Sequence, residues 1–142
     1  MTIEQLSIFV ENKPGKLVEA LETIAEAGVD LRALSLADTA DFGILRVIVD
    51  RPDQALQALQ ESGYLVRSNE VIPVSVGDKP GGLSSVLRIL ANAGVNVEYT
   101  YAFVAHGRDT AYVILRVADN EAAVNVLKGN GVSLLTKEEM FG

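Results

Sequence analysis

The chain repeats itself, and that constrains its fold more than any other property of the sequence. Ile8-Phe9-Val10-Glu11-Asn12-Lys13-Pro14-Gly15-Lys16-Leu17 aligns with Val74-Ser75-Val76-Gly77-Asp78-Lys79-Pro80-Gly81-Gly82-Leu83, and the shared Lys-Pro-Gly sets the register at 80 − 14 = 66 residues. At the same shift Leu21, Ile24, Ala25, Ala27, Gly28, Val29 and Asp30 meet Leu87, Leu90, Ala91, Ala93, Gly94, Val95 and Asn96. The shift becomes 116 − 46 = 70 at Arg46-Val47 and Arg116-Val117, then 131 − 63 = 68 at Gly63 and Gly131. A longer hairpin loop around His106-Gly107-Arg108-Asp109 and a shorter helix entry in the second copy explain both drifts. In a chain of 142 residues the repeat predicts two small modules, residues 1–69 and 70–142.

Each copy reads as strand, helix, strand, strand, helix, strand. Leu6, Ile8 and Val10 alternate with neighbours of the opposite face, the period of two that marks a strand. Leu17, Leu21, Ile24 and Ala25 recur at helical spacing and Gly28 ends the run. Leu31 to Ala37 and Gly43 to Val49 are two strand-like runs around the hairpin Asp38-Thr39-Ala40-Asp41-Phe42. A second helix starts with Asp50 as N-cap and Pro52 in its first turn, stops at Gly63, and is followed by a closing strand from Leu65 to Arg67. The second copy repeats the order with Val71 to Val76, Leu83 to Ala93, Val95 to Val104, Ala111 to Val117, Ala122 to Lys128 and Val132 to Leu135. The expected class is α+β: two ferredoxin-like βαββαβ modules in tandem, each an antiparallel sheet with its helices on one face. The spacing puts Val97, Tyr99, Tyr101 and Phe103 on one face of their strand, a stripe read as packing against a covering surface.

Composition removes whole classes of function. Twelve Lys and Arg against nineteen Asp and Glu leave a net charge of −7, which repels phosphate backbones and anionic lipid. Nucleic acid and membrane partners are therefore not expected. With no cysteine and one histidine there is no disulfide framework, no thiol nucleophile and no Cys/His metal cluster. The apolar runs stop well short of the roughly 18 residues that span a bilayer, and the N-terminus lacks a basic signal start, so the expected location is the cytoplasm. His106 sits in the variable hairpin and reads as a solvated loop residue, while Arg46 and Arg116 read as outward-facing arginines paired with carboxylates. No phosphate-binding loop or dinucleotide fingerprint is present, and Lys137-Glu138-Glu139 reads as a solvated tail. The expectation is a protein without catalysis, metal or cofactor.

The strand-to-helix turns carry what chemistry remains. Asn12-Lys13-Pro14-Gly15 and Asp78-Lys79-Pro80-Gly81-Gly82 each place backbone N–H groups and the positive end of a helix dipole beside a side chain that accepts a hydrogen bond. A carboxylate suits the amides near Gly15, or near Gly81 and Gly82, and an ammonium suits Asn12 or Asp78. Asp30 and Asn96 bring a further polar side chain to the start of the next strand. Such a set can recognise the backbone of an amino acid. The same residues also serve as ordinary caps and turn formers, a reading that spacing alone does not displace.

The βαββαβ order, the Asn/Asp-Lys-Pro-Gly turn before the first helix and the Ala-Gly-Val followed by Asp or Asn resemble the ACT domain, a small-molecule-binding regulatory module, twice over. The chain is more closely similar to stand-alone tandem ACT proteins that bind amino acids. That resemblance implies a ligand held at the interface between modules, lined by Asn12, Gly15 and Asp30 in the first copy and by Asp78, Gly81, Gly82 and Asn96 in the second, with Asp78 departing from the amide. It also implies a homodimer that signals to a metabolic enzyme or regulator. The rival reading is a ligand-free assembly or regulatory subunit that docks on an enzyme through its sheet surface.

Overall fold

The computed structural model describes residues 2–38, 40–103 and 110–141. His106 and the hairpin loop around it lie outside the described residues. The chain divides into two compact units: Glu4–Asn69, and Met1–Ile3 together with Glu70–Gly142.

The first unit contains β1 (Ile3–Glu11), α1 (Lys16–Glu26), β2 (Leu31–Asp38), β3 (Phe42–Val49), α2 (Pro52–Glu61) and the beginning of β4 (Val66–Gly77). Its strands lie in the order β2-β3-β1-β4, with β3 antiparallel to both neighbours. Leu6, Ile8 and Val10 from β1 and Leu45 and Val47 from β3 project from one side and meet Ala20 and Ile24 of α1 and Ala55 and Leu59 of α2. Ala20 and Ile24 are four apart, and Ala55 and Leu59 likewise, so each helix turns one stripe inward. Each fully buried leucine or isoleucine contributes about 1.5–3 kcal/mol, which is why the period-two and period-3.6 patterns decide the fold.

The second unit contains the rest of β4, then α3 (Gly82–Asn92), β5 (Val97–Phe103), β6 (Thr110–Val117), α4 (Asn120–Gly129) and α5 (Lys137–Phe141). Its strand order is β4-β6-β5, and Val74, Val113 and Leu115 pack on Val86 and Leu90 of α3 and Leu127 of α4. The closing strand of the first copy and the opening strand of the second, separate in the sequence reading, form one twelve-residue element.

Four local expectations need correction. The strand expected over Val132 to Leu135 is a single bridge, Leu134 to Val74, flanked by Ser75 N–H to Ser133 C=O at 2.9 Å and Leu135 N–H to Pro73 C=O at 3.0 Å. It ends there because Thr136 starts a helix. Thr136 and Glu139 form a reciprocal capping box, with Glu139 N–H donating to Thr136 Oγ1 at 3.2 Å and Thr136 N–H to Glu139 Oε1 at 3.3 Å. Lys137-Glu138-Glu139 is therefore the first turn of α5 and not a tail, and α5 buries Met140. Asp50 does not cap α2: the N-cap is Arg51 without a side-chain bond, while Asp50 Oδ1 accepts the Asp30 N–H at 2.9 Å. In the second unit Asp119 does cap, accepting from Ala122 N–H at 3.1 Å. Lastly, a bulge between Val97 and Tyr99 interrupts the aromatic stripe: Val97 pairs with core-facing Val117, whereas Tyr99, Tyr101 and Phe103 pair with Arg116, Ile114 and Tyr112 on the opposite face. There Phe103 stacks on Tyr112 with centroids 5.4 Å apart.

The arginines fit the expected pattern at Arg116, whose Nε lies 3.7 Å from Glu98 Oε1 and whose Nη1 donates to Val117 O at 2.9 Å. Arg46 stands in β3 between Ser7 of β1 and Ser35 of β2.

Candidate functional site

The repeated Lys-Pro-Gly turn is built by the backbone. Lys13 N–H donates to Glu11 O at 2.9 Å and Lys16 N–H to Lys13 O at 3.2 Å; in the second copy Lys79 N–H donates to Gly77 O at 2.9 Å and Gly82 N–H to Lys79 O at 3.0 Å. Gly15 and Gly81 both hold φ of 85°, a conformation that costs other residues about 1–2 kcal/mol. The motif therefore recurs because one backbone shape recurs. In each helix the first amide is already engaged, and no side chain among the described residues caps either one. The amides of Leu17 and Val18, and of Leu83 and Ser84, find no acceptor among the described residues.

The seven predicted residues separate into four groups, one at the turn and one at the far end of each module. Asn12 and Gly15 lie together at the end of β1, where Asn12 Nδ2 donates to Asp38 Oδ1 at 3.3 Å and its N–H to Asp41 O at 3.0 Å. Asp78, Gly81 and Gly82 lie together at the corresponding turn of the second unit, with Asp78 exposed. Asp30 precedes β2 at the far end of its own module. In the register, Asp38 stands opposite Gly43 near the turn and Leu31 opposite Val49 away from it. At about 3.3 Å per residue, Asp30 is roughly 25 Å along the strand from Asn12. Its carboxylate is 2.7 Å from Arg32 Nη1. Asn96, exposed ahead of Val97 and its partner Val117, occupies the same far end of the second module. Within the first module Asp38, not Asp30, shares the turn's end of the sheet.

Beside the first turn opens a cavity of about 580 Å³, bounded by Glu11, Lys16, Glu19, Phe42, Tyr64 and Leu65, with Phe9 behind them. This size lies within the roughly 300–1,000 Å³ of small-molecule pockets. None of the seven predicted residues lines it, although Glu11 and Lys16 flank the predicted turn. The α2–β4 turn supplies Tyr64 and Leu65, and the start of β3 supplies Phe42. Their signal in the sequence is an aromatic at a hairpin and a leucine just after a helix stop, and in the fold Phe42 and Leu65 keep 50% and 61% of their surface exposed. Large exposed apolar side chains at a concave rim are a mark of binding surfaces.

Each carboxylate at the cavity has a lysine beside it, Lys16 within the lining and Lys13 just outside it. Lys13 Nζ lies 3.2 Å from Glu11 Oε2 and Lys16 Nζ 3.6 Å from Glu19 Oε2, all at or near the surface. These contacts are loose and solvated, so a ligand can replace them at little cost. The arrangement suits recognition of a carboxylate and an ammonium together. Among the described residues no cluster of His, Cys, Asp or Glu is placed to hold a metal ion, and no helix is long and apolar enough to cross a membrane.

Comparison with known proteins agrees with this architecture. A Bacteroides thetaiotaomicron protein of known crystal structure is 40% identical with a TM-score of 0.91, the match covering 99% of this chain and 96% of that one. The ligand-free regulatory subunit of aspartate kinase from Thermus thermophilus shares the fold at 20% identity and a TM-score of 0.63, covering 89% and 91% of the two chains. The corresponding subunit from Thermus flavus does so at 17% and 0.64, covering 89% and 90%. No curated protein matches. The family model of the ACT domain pair, a regulatory type that binds small molecules such as amino acids, matches residues 1–141, and the chain belongs to that family.

Proposed function

We propose that the chain is an amino-acid-binding regulatory protein, without catalysis of its own, that receives its ligand at the first Lys-Pro-Gly turn and passes the signal to a partner protein. The observation that carries this reading is the cavity beside that turn, lined by Lys16 and Glu19 from the positive end of α1 and by Glu11 from the end of β1. In this reading the ligand carboxylate replaces Glu19 beside Lys16, where the helix dipole adds about 0.3–1 kcal/mol at an exposed site. Its ammonium sits against Glu11. Membership of a regulatory family supports the same reading. Binding shifts the partner-docking equilibrium by as much as the two states differ in affinity for the ligand, and no more.

A thermal-shift screen of the full chain with the twenty amino acids tests it. A ligand at a hundred times its Kd adds about 2.7 kcal/mol, a midpoint rise on the order of 5–10 °C. If none of the twenty raises the midpoint, the ligand-free docking subunit becomes the better reading. Leu34 and Leu36, 45% and 49% exposed along edge strand β2, support pairing of two chains there, which sedimentation of wild type against Leu34→Lys checks.

A further inference from the structure

We infer that the binding site is confined to the first module and selects an amino acid with a bulky apolar side chain. This rests on the amino-acid-binding reading above and goes on to name the ligand class and the number of sites.

The two copies share a turn but not a cavity wall. Where the first module has Glu11, Lys16 and Glu19, the second has Gly77, Gly82 and Ser85; where the first has Tyr64 and Leu65, the second has Val132 and Ser133. In the sheet Phe42 pairs with Glu11, and the residue pairing with Gly77 in the same place is Thr110. Each charged and each large wall residue of the first copy has a smaller or uncharged counterpart.

Backbone geometry shows what became of the space. A Cβ placed on Gly82 would lie 2.0 Å from the carbonyl oxygen of Gly77, an approach open only to glycine. The second turn is thus closed down on the start of its helix. Lys16, the counterpart of Gly82, carries a side chain, so the Glu11 carbonyl and the first helical residue must stand further apart, and both residues line the cavity. Ser84 and Ser85 also turn back onto their own loop, donating to Gly81 O at 3.1 and 2.8 Å. The Lys79 side chain lies along Gly77, with its Cε 3.3 Å from where a Cβ would be. The room that the first turn holds open is taken up by the second turn's own atoms.

The open cavity also specifies its occupant. Lys16 and Glu19 pair within the lining, and Glu11 is neutralised by Lys13 just outside it, so each carboxylate already has a cation beside it and the cavity matches a zwitterion better than a ligand with a further charge. The remaining wall of Phe42, Tyr64 and Leu65 rewards apolar area removed from water, and so favours a large apolar side chain.

Isothermal titration of the full chain with leucine, phenylalanine, glycine, lysine and aspartate tests the inference. Expected is one equivalent per chain, with leucine or phenylalanine at least about tenfold tighter than glycine and than either charged amino acid. The double variant Phe42→Thr with Leu65→Ser, which installs the second module's residues, is expected to lose that tenfold preference while still binding glycine. Should it fail to fold, Leu65→Ser alone carries the test, since its side chain is 61% exposed. Two equal sites per chain, preference for lysine or aspartate, or unchanged leucine affinity in the variant would overturn the inference while leaving amino-acid binding standing. No binding by any of the five or by the other amino acids would remove both.

Discussion

Gly82→Ala puts the closed second turn to the test without any ligand. The added Cβ would meet the Gly77 carbonyl oxygen at 2.0 Å and its carbon at 3.1 Å, and both are main chain, so no side-chain rotation relieves the contact. That oxygen also accepts the Lys79 N–H at 2.9 Å, so moving it weakens a bond worth about 0.5–1.5 kcal/mol. Overpacking of this kind costs typically about 1–3 kcal/mol. Working against it, alanine is the better helix former by at most about 1 kcal/mol, and by less in a first turn. The clash wins, and the net expectation is a loss of about 1.5–3 kcal/mol in urea unfolding followed by circular dichroism. Gly15→Ala is the companion: nothing lies within 4 Å of its added Cβ, so only the cost of φ at +85° remains, about 1–2 kcal/mol. If Gly82→Ala unfolds at or above the wild-type urea concentration, the second turn is not closed and a site confined to the first module loses its geometric basis.

Other substitutions separate features of similar appearance. Asp119→Ala removes the acceptor of the Ala122 N–H and is expected to cost about 1 kcal/mol in chemical denaturation. Arg32→Ala breaks a 2.7 Å contact between exposed groups and should move stability by less than about 0.5 kcal/mol despite the short distance. Thr136→Ala dismantles the capping box of α5 and should raise amide exchange in that helix while leaving the core of the second unit protected. Leu115→Ala, at a fully buried site, should lose about 2–5 kcal/mol by the same urea measurement.

The fold was legible because the burial pattern is repeated at two scales. Leu6, Ile8 and Val10 alternate, Ala20 and Ile24 recur at helical spacing, and the second copy states the same pattern again, so chance periodicity is improbable. Boundaries failed where a local hydrogen bond outranks propensity. Val132 to Leu135 has the composition of a strand, but the Thr136–Glu139 box begins a helix one residue later and leaves room for a single bridge. Asp50 has the residue type of a cap, yet its carboxylate is claimed by Asp30 N–H from a segment twenty residues earlier. The aromatic stripe departs from strict alternation at Val97 because a bulge adds one residue to the period, and nothing in the residue types of Val97-Glu98-Tyr99 announces it. The site was half legible. Glu11 and Lys16 flank the turn that the repeat identified, but Phe42, Tyr64 and Leu65 come from two other connections, and only the folded sheet brings them beside it.

A duplicated chain invites the inference that what both copies keep is what both copies use. Here the geometry separates keeping from using. Lys-Pro-Gly recurs because Gly15 and Gly81 must hold the same left-handed backbone and because Lys16 and Gly82 donate their amides to the same carbonyl of the turn, requirements of the scaffold that any ligand would find already met. A recognition site must differ from its scaffold by side chains that reach into open space, and those side chains are the ones on which the copies disagree: lysine against a glycine pressed on Gly77, glutamate against serine, leucine against serine. The divergence is also directional, since every replacement in the second copy reduces either charge or volume, and at Gly82 the backbone of Gly77 has moved in as well. Random drift of two equivalent sites would have left some large residues on each side. One turn left open beside paired charges and an apolar wall, and another drawn in on its own main chain, is the pattern the single-site proposal requires, one module binding and the other supporting it.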